Sequence, residues 1–470
     1  MRSFESRIAY HESRRSRSNL SLTILRLAGA FLLLQVMLFG QLDRMTTAQS
    51  YLQQGRIEEA RKILLELLRE TPNHQVLHAM LGQIAFSRQE FQQAVEHFRR
   101  ADNVIGSNPL MRINLAEALL ETRASDLAKL ELAKLASTAT MAQFEAGLLL
   151  ARHGDFLGAE QHFLKAKPGY PKPQVISYNL ALAQYSARKF PECSATLEEA
   201  RRKGMRSADI LNLLGQSYSE SGRTVEAAKI LKEALRLYPK DERNYVSLAT
   251  ILIEDDGAAE GLELVDKGLG LLPKSPAILL QRAYLLMSLG RNREAELDYR
   301  RVVEIDKKSV AARIGLAFSF IQSQRQTEAT TLLEELASSE RGNYFPYYLL
   351  GELYLRQGLE DQAILSLTKA ASLEPGFAAI HSSLGKVHLK KQNLDAAVKE
   401  LETATRLDPS DTTGFYQLSI AYRRMGQPER AREALVQVRR LNEIERELGT
   451  SRFLTRKLKG LQSSLSASPN

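Results

Sequence analysis

The sequence predicts an all-α solenoid of about twelve helical hairpins. Three observations carry this: a helix-forming composition, small residues recurring every 34 positions, and glycines and prolines where such hairpins turn. At 470 residues the chain exceeds what one compact core usually holds. Leu, Ala, Glu, Arg and Gln dominate, Pro numbers 14 and Trp is absent, which favours one extended helical array over several mixed domains.

The register comes from setting residues 213–239 beside 349–375. Stepping by 34 from Gly215 and Gly351 finds a small residue each time, at Gly147, Ala181, Gly215, Ala249, Ala283, Ala317, Gly351, Gly385 and Ser419. Ala48, Gly82 and Ala116 continue the series upstream after one 31-residue step. Twelve residues beyond each lies a second small residue: Ala60, Ala94, Ala128, Ala159, Cys193, Ala227, Gly261, Ala295, Ala329, Ala363, Ala397 and Ala431. Helices approach to about 8 Å only where the crossing side chains are small, so each pair of positions marks two helices of one hairpin.

Large residues recur around the crossings, such as Tyr218, Phe320, Tyr354 and Tyr422 on first helices and Phe98, Phe163, Tyr299 and Leu367 on second helices. Gly55, Gly154, Gly222, Gly290, Gly358 and Gly426 fall in the intervening turn, where a left-handed residue ends a helix. Pro72, Pro171, Pro239, Pro273, Pro375 and Pro409 end second helices, and repeats 2, 3, 5, 8, 9 and 12 lack that proline. Gly261 and Gly268 in repeat 7 predict a loosened hairpin. Cys193, the only cysteine, fills a slot that alanine holds in ten other repeats, which assigns it to packing.

This small-large-small-large pattern with a closing proline resembles the tetratricopeptide repeat (TPR) family over about residues 41–445. The resemblance implies a right-handed superhelix whose first helices line a concave groove that binds a peptide or partner helix. The organisation expected is a basic N-terminus with an apolar segment over 1–40, repeats 1–3 over 41–142, repeats 4–12 over 143–445, and a basic capping helix with a disordered tail over 446–470.

The net charge of +9 sits at the ends. Residues 1–26 carry six Arg and two Glu, residues 449–470 carry Arg452, Arg456, Lys457 and Lys459 with no acid, and the body between holds only +1. A near-neutral body argues against nucleic acid as a partner. Leu20 to Gly40 is apolar apart from Arg26 and Gln35. The unbroken run from Leu27 to Phe39 has the length of a signal-peptide core, whereas snorkelling of Arg26 gives 21 residues that can span a membrane. Retained anchor and cleaved signal both remain open, with the anchor favoured. The arginines ahead of the segment predict a cytoplasmic N-terminus and an extracytoplasmic solenoid.

Once the repeats are assigned, no room remains for a catalytic domain, and neither a phosphate loop nor a catalytic triad pattern occurs. No enzymatic activity, catalytic residue, cofactor or metal is expected. His74 and His78 have metal-ligand spacing without a third ligand, Asp255-Asp256 reads as a turn, and His381 and His388 stand at packing positions.

If first helices line the groove, residues three before, one after and four after each first small residue project into it. In repeats 8–10 these are Leu280, Tyr284, Met287, Ile314, Phe318, Ile321, Tyr348 and Leu355; in repeats 4 and 5 they include Phe144, Leu148, Tyr178, Leu182 and Tyr185. Repeat 6 interrupts with Asn212, Gln216 and Ser219. Phe144, Tyr178, Tyr185, Tyr284, Phe318 and Tyr348 are the expected partner-binding aromatics, suited to an amphipathic helix or extended peptide. The function expected is therefore a non-enzymatic scaffold for protein–protein interaction in an extracytoplasmic, membrane-tethered assembly. The alternative is an envelope-biogenesis subunit that binds a glycan or other non-protein polymer, marked by aromatic platforms that repeats 4 and 5 provide only in part.

Overall fold

The computed structural model describes residues 39–254 and 257–448, all helix and turn, with no strand among the described residues. The expected anchor segment up to residue 38, the turn at Asp255-Asp256 and the tail from residue 449 lie outside them. No helix among the described residues is long and apolar enough to cross a membrane. The described chain divides into two compact units that part between Ser221 and Gly222.

In the first unit the repeat pairs are Phe39–Gln53 with Ile57–Glu70, Gln75–Ser87 with Phe91–Arg99, Pro109–Glu121 with Ser125–Ala133, Thr140–Arg152 with Phe156–Ala166, and Pro173–Ser186 with Phe190–Arg202. Ala208–Glu220, the first helix of repeat 6, closes this unit. The second unit opens on Thr224–Leu237 and continues with Glu242–Glu254 and Ala258–Leu271, Pro276–Ser288 and Asn292–Ile305, Val310–Gln322 and Gln326–Ser339, Tyr344–Gln357 and Glu360–Leu373, Ala378–Lys390 and Leu394–Leu407, and Thr412–Arg424 and Pro428–Leu448.

Every residue of the two small-residue series is buried, and at Gly82, Gly147, Gly351 and Gly385 the space beside the glycine is filled by a large residue on the second helix of the same hairpin. A Cβ added to Gly147 would lie 2.6 Å from the Phe163 ring, and one on Gly351 would lie 2.4 Å from Leu367. Burial pushes the Cys193 thiol up to about 12, the behaviour of a packed thiol rather than a nucleophile.

The turn position seven residues past the first small residue is left-handed in the eleven repeats where it is described. Glycine takes it at Gly55, Gly154, Gly222, Gly290, Gly358 and Gly426, while Gln89, Arg123, Arg188, Gln324 and Gln392 adopt the same sign of φ without glycine's freedom. The tertiary fold imposes this conformation even where the residue resists it.

The 31-residue step has a local origin. The second helix of repeat 3, Ser125–Ala133, is 9 residues long against 14 for Asn292–Ile305 and Gln326–Ser339. Repeats 8 and 9 thus keep full-length second helices although they lack the closing proline.

In repeat 7 Gly268 has a packing role that its sequence position did not suggest. A Cβ on Gly268 would meet the Tyr245 ring at 2.8 Å, so glycine makes room for a buried tyrosine whose hydroxyl donates to the Pro239 carbonyl at 3.0 Å.

A polar series then ties repeats together. In repeats 2, 4, 7, 10 and 11 the residue four before the first small position reaches the end of the preceding repeat: Gln143 Nε2 donates to the Leu135 and Ala136 carbonyls at 3.1 and 3.0 Å, and the Tyr347 hydroxyl donates to the Ala337 carbonyl at 2.8 Å. His78 and His381 hold this place through Nε2, bonded to the Pro72 and Pro375 carbonyls at 2.9 and 3.0 Å. Such groups satisfy carbonyls that helix ends leave open.

A candidate docking surface on repeats 8 to 10

Within the second unit, first helices of repeats 8, 9 and 10 enclose a pocket of about 600 Å³, a size that suits a buried side-chain cluster or a small ligand. Leu280, Tyr284 and Met287 come from repeat 8, Ile314, Phe318 and Ile321 from repeat 9, and Tyr348 from repeat 10. These are the places three before, one after and four after the small residue. A helix turn of 3.6 residues puts these three positions on one face.

The walls depend on close packing. Tyr299, on the second helix of repeat 8, lies against Gly315, where a Cβ would fall 2.3 Å from its ring. Tyr348 packs edge-on against Phe377 with ring centroids 5.6 Å apart. Burial raises the hydroxyl pKa of Tyr348 above the ordinary tyrosine range and that of Tyr284 to about 12, so both stay protonated. The Tyr284 hydroxyl has no hydrogen-bond partner among the described residues. Phe318 is 39% exposed, a large cost in unburied apolar surface for one side chain.

Polar groups are few and come from the first helices of repeats 8 and 10. Glu352 accepts a hydrogen bond from the Ser383 hydroxyl, and Gln281 Nε2 donates to Thr250 Oγ1 at 3.3 Å. Arg356 stands exposed at the rim. An apolar hollow with a sparse polar margin binds an apolar anchor and uses its margin for orientation.

Of the six aromatics expected to meet a partner, Tyr284, Phe318 and Tyr348 therefore share this pocket. The other three belong to the first unit. Phe144 is only 6% exposed, its ring 4.2 Å from that of Tyr170 and 5.6 Å from that of Phe163, so it is a core residue rather than an open anchor. Tyr178 is also buried, while Tyr185 is half-buried with its ring 5.3 Å from Phe190. Leu355, placed in the groove by its register, is buried too. Phe345 is a pocket residue that the register missed; it lies six before Gly351, near the start of its helix.

The histidines have structural places. His74 caps Gln75–Ser87, accepting from the Leu77 amide at 3.4 Å. His78 meets His97, their Nδ1 atoms 3.0 Å apart. No cluster of three metal-ligating side chains occurs among the described residues.

Family profiles described as tetratricopeptide repeat match residues 45–109, 178–242, 276–309 and 354–419. The chain is 23% identical over 158 residues to the human protein named General transcription factor 3C polypeptide 3, covering 32% of this chain and 18% of that protein. It thus spans less than a fifth of that relative's length. Among solved structures it is similar to yeast Tom70, at 16% identity and a TM-score of 0.46 over 90% of this chain and 96% of that one. A tetratricopeptide repeat protein from Parabacteroides merdae is similar at 19% identity and a TM-score of 0.40, over 60% of this chain and 99% of that one.

Proposed function

The chain is a tetratricopeptide-repeat protein, and from that premise we propose that it is a non-enzymatic scaffold whose repeats 8–10 seat an amphipathic helix or extended peptide. The observation that carries this reading is the apolar pocket formed by Tyr284, Phe318 and Tyr348 with the aliphatic residues between them. Apolar side chains spaced by one helical turn on a partner fit such a row of anchors, and sparse polar groups at the margin set its orientation. Phe318→Ala and Tyr348→Ala remove anchors contributed by neighbouring repeats 9 and 10. Each should weaken partner capture by full-length protein at least tenfold, the loss typical of a buried aromatic anchor. Unchanged capture by both variants would refute the site.

The scaffold works on the extracytoplasmic side of a membrane, tethered through the N-terminal apolar segment. Support comes from the sequence: five arginines precede that segment and the flank after it is nearly neutral. A topology reporter fused after residue 445 should be active outside the cytoplasm, and cytoplasmic activity would overturn this placement.

A further inference from the structure

We infer that the partner of this pocket carries an acidic stretch beside its apolar anchors, held by a row of unpaired cations on the first helices of repeats 10–12. The inference rests on the docking reading above and names the chemistry of its occupant.

The pocket itself establishes which register positions face it. Positions one, four and five after the small residue all contribute, the last through Ser288 and Arg356. Followed into repeats 11 and 12, the same positions hold Lys386 and Lys390, then Arg423 and Arg424. Two of these cations are engaged: Lys390 donates to the Leu355 carbonyl at 3.4 Å and Arg424 to the Leu389 carbonyl at 3.1 Å. Arg356, Lys386 and Arg423 are exposed and have no ion pair or hydrogen bond among the described residues. Arg282, Arg291, Arg300 and Arg325 of this unit are paired with carboxylates, whereas Arg236, Arg293 and Arg406, all on second helices, also have no ion pair or hydrogen bond among the described residues. Glu352, to which Ser383 donates, is the one acid at these positions in repeats 8–12, and Asp411, just ahead of the first helix of repeat 12, is close enough to act on the Tyr348 hydroxyl.

The surface is thus apolar over repeats 8–10 and basic over repeats 10–12. Tyr416, three before the small residue of repeat 12 and 51% exposed, adds an aromatic face among the cations. Charge complementarity selects an acidic segment, and the adjoining apolar pocket selects a peptide over a nucleic acid, whose phosphates would leave that pocket unused. It also disfavours the chain's own ends as occupants, since both are basic.

The test is selection from a displayed library of random peptides on full-length protein, on the triple variant Arg356→Gln, Lys386→Gln, Arg423→Gln, and on Phe318→Ala. All three polar changes are on exposed side chains, and circular dichroism checks that each variant keeps its helix content. Peptides from the wild type should join apolar residues to a run of Asp or Glu, and the triple variant should lose the acidic preference while keeping the apolar one. For a selected peptide, each cation removed should weaken binding about twofold to fivefold, the worth of an exposed ion pair. Apolar peptides without acid enrichment would overturn the inference and leave the docking reading standing. Identical selections on wild type and Phe318→Ala would remove the docking reading and the inference with it. Tighter binding of a thymidine oligonucleotide than of the selected peptides, dependent on the same cations, would overturn the assignment to a peptide.

Discussion

The Tyr354 hydroxyl donates to the carboxylate of Glu334, twenty residues upstream in the preceding repeat, at 2.7 Å. The same bond recurs at the same spacing between Tyr218 and Glu198 at 3.0 Å and between Tyr422 and Glu402 at 2.5 Å. Each tyrosine lies three past the small residue of its first helix, so its ring packs in the core while its hydroxyl reaches the previous second helix. These bonds couple neighbouring repeats, which in a solenoid is where cooperativity resides.

Tyr354→Phe keeps the ring and removes only this bond. It should lower unfolding free energy by about 1 kcal/mol, the net worth of one hydrogen bond, and broaden the thermal transition. Tyr416→Phe, with an exposed ring, serves as the control and should change neither. Calorimetry of the two variants decides the matter.

A second prediction concerns Asp298, 1% exposed and gripped by Arg282 through two bonds of 2.6 Å, from Nε and Nη2. Asp298→Ala leaves a guanidinium only partly compensated by Asp266 at 3.0 Å. The expected loss is about 3 kcal/mol, as for breaking other buried pairs, and denaturant titration measures it. Asp298→Ala combined with Arg282→Met should recover part of that loss.

His162 predicts acid sensitivity. It is buried, its Nδ1 bonded to Gln143 Oε1 at 2.6 Å, and burial followed by the nearby charge of Lys165 lowers its pKa to about 4. The unfolded chain, with an ordinary histidine near 6.5, takes up the proton first. This contribution to stability is therefore complete above about pH 6.5 and is lost as the pH falls from there towards 4, by on the order of 3 kcal/mol. His162→Gln should flatten the stability profile across that window. An unchanged slope would show that His162 titrates normally in the folded protein.

The turn register gives paired changes of opposite sign. Gly290 and Gln324 occupy the same place in successive repeats with φ of 72° and 59°. Gly290→Ala should destabilise by about 1 kcal/mol, and Gln324→Gly should stabilise by up to about as much, because only glycine takes this conformation without steric cost. Melting temperatures of the two variants provide the check.

Much of the fold was legible in the sequence because the solenoid repeats one packing solution: a small residue on each helix, a large one opposite, and a left-handed turn between. Local spacing encodes all three. The pocket aromatics Tyr284, Phe318 and Tyr348 were legible for the same reason, being fixed by helical phase alone. Phe144 was not, because its cover is Tyr170, which follows the short turn Lys167–Gly169 and has no counterpart in the 34-residue register. The Tyr354–Glu334 type of bond and the His78–His97 contact also escaped the sequence reading. They join side chains 20 and 19 residues apart, across helices whose relative height depends on packing. The packing role of Gly268 escaped the sequence reading for a related reason: what fills its space, Tyr245, is on the other helix.

The central claim is that the partner docks on first helices of repeats 8–10. Photo-crosslinking in the native cell tests it most directly, with a photoreactive amino acid in place of Phe318 and, separately, in place of Leu365, which is 74% exposed on the second helix of repeat 10. A discrete adduct from position 318 and none from position 365 is the predicted result. Adducts from position 365 alone, or equally from both, would contradict it.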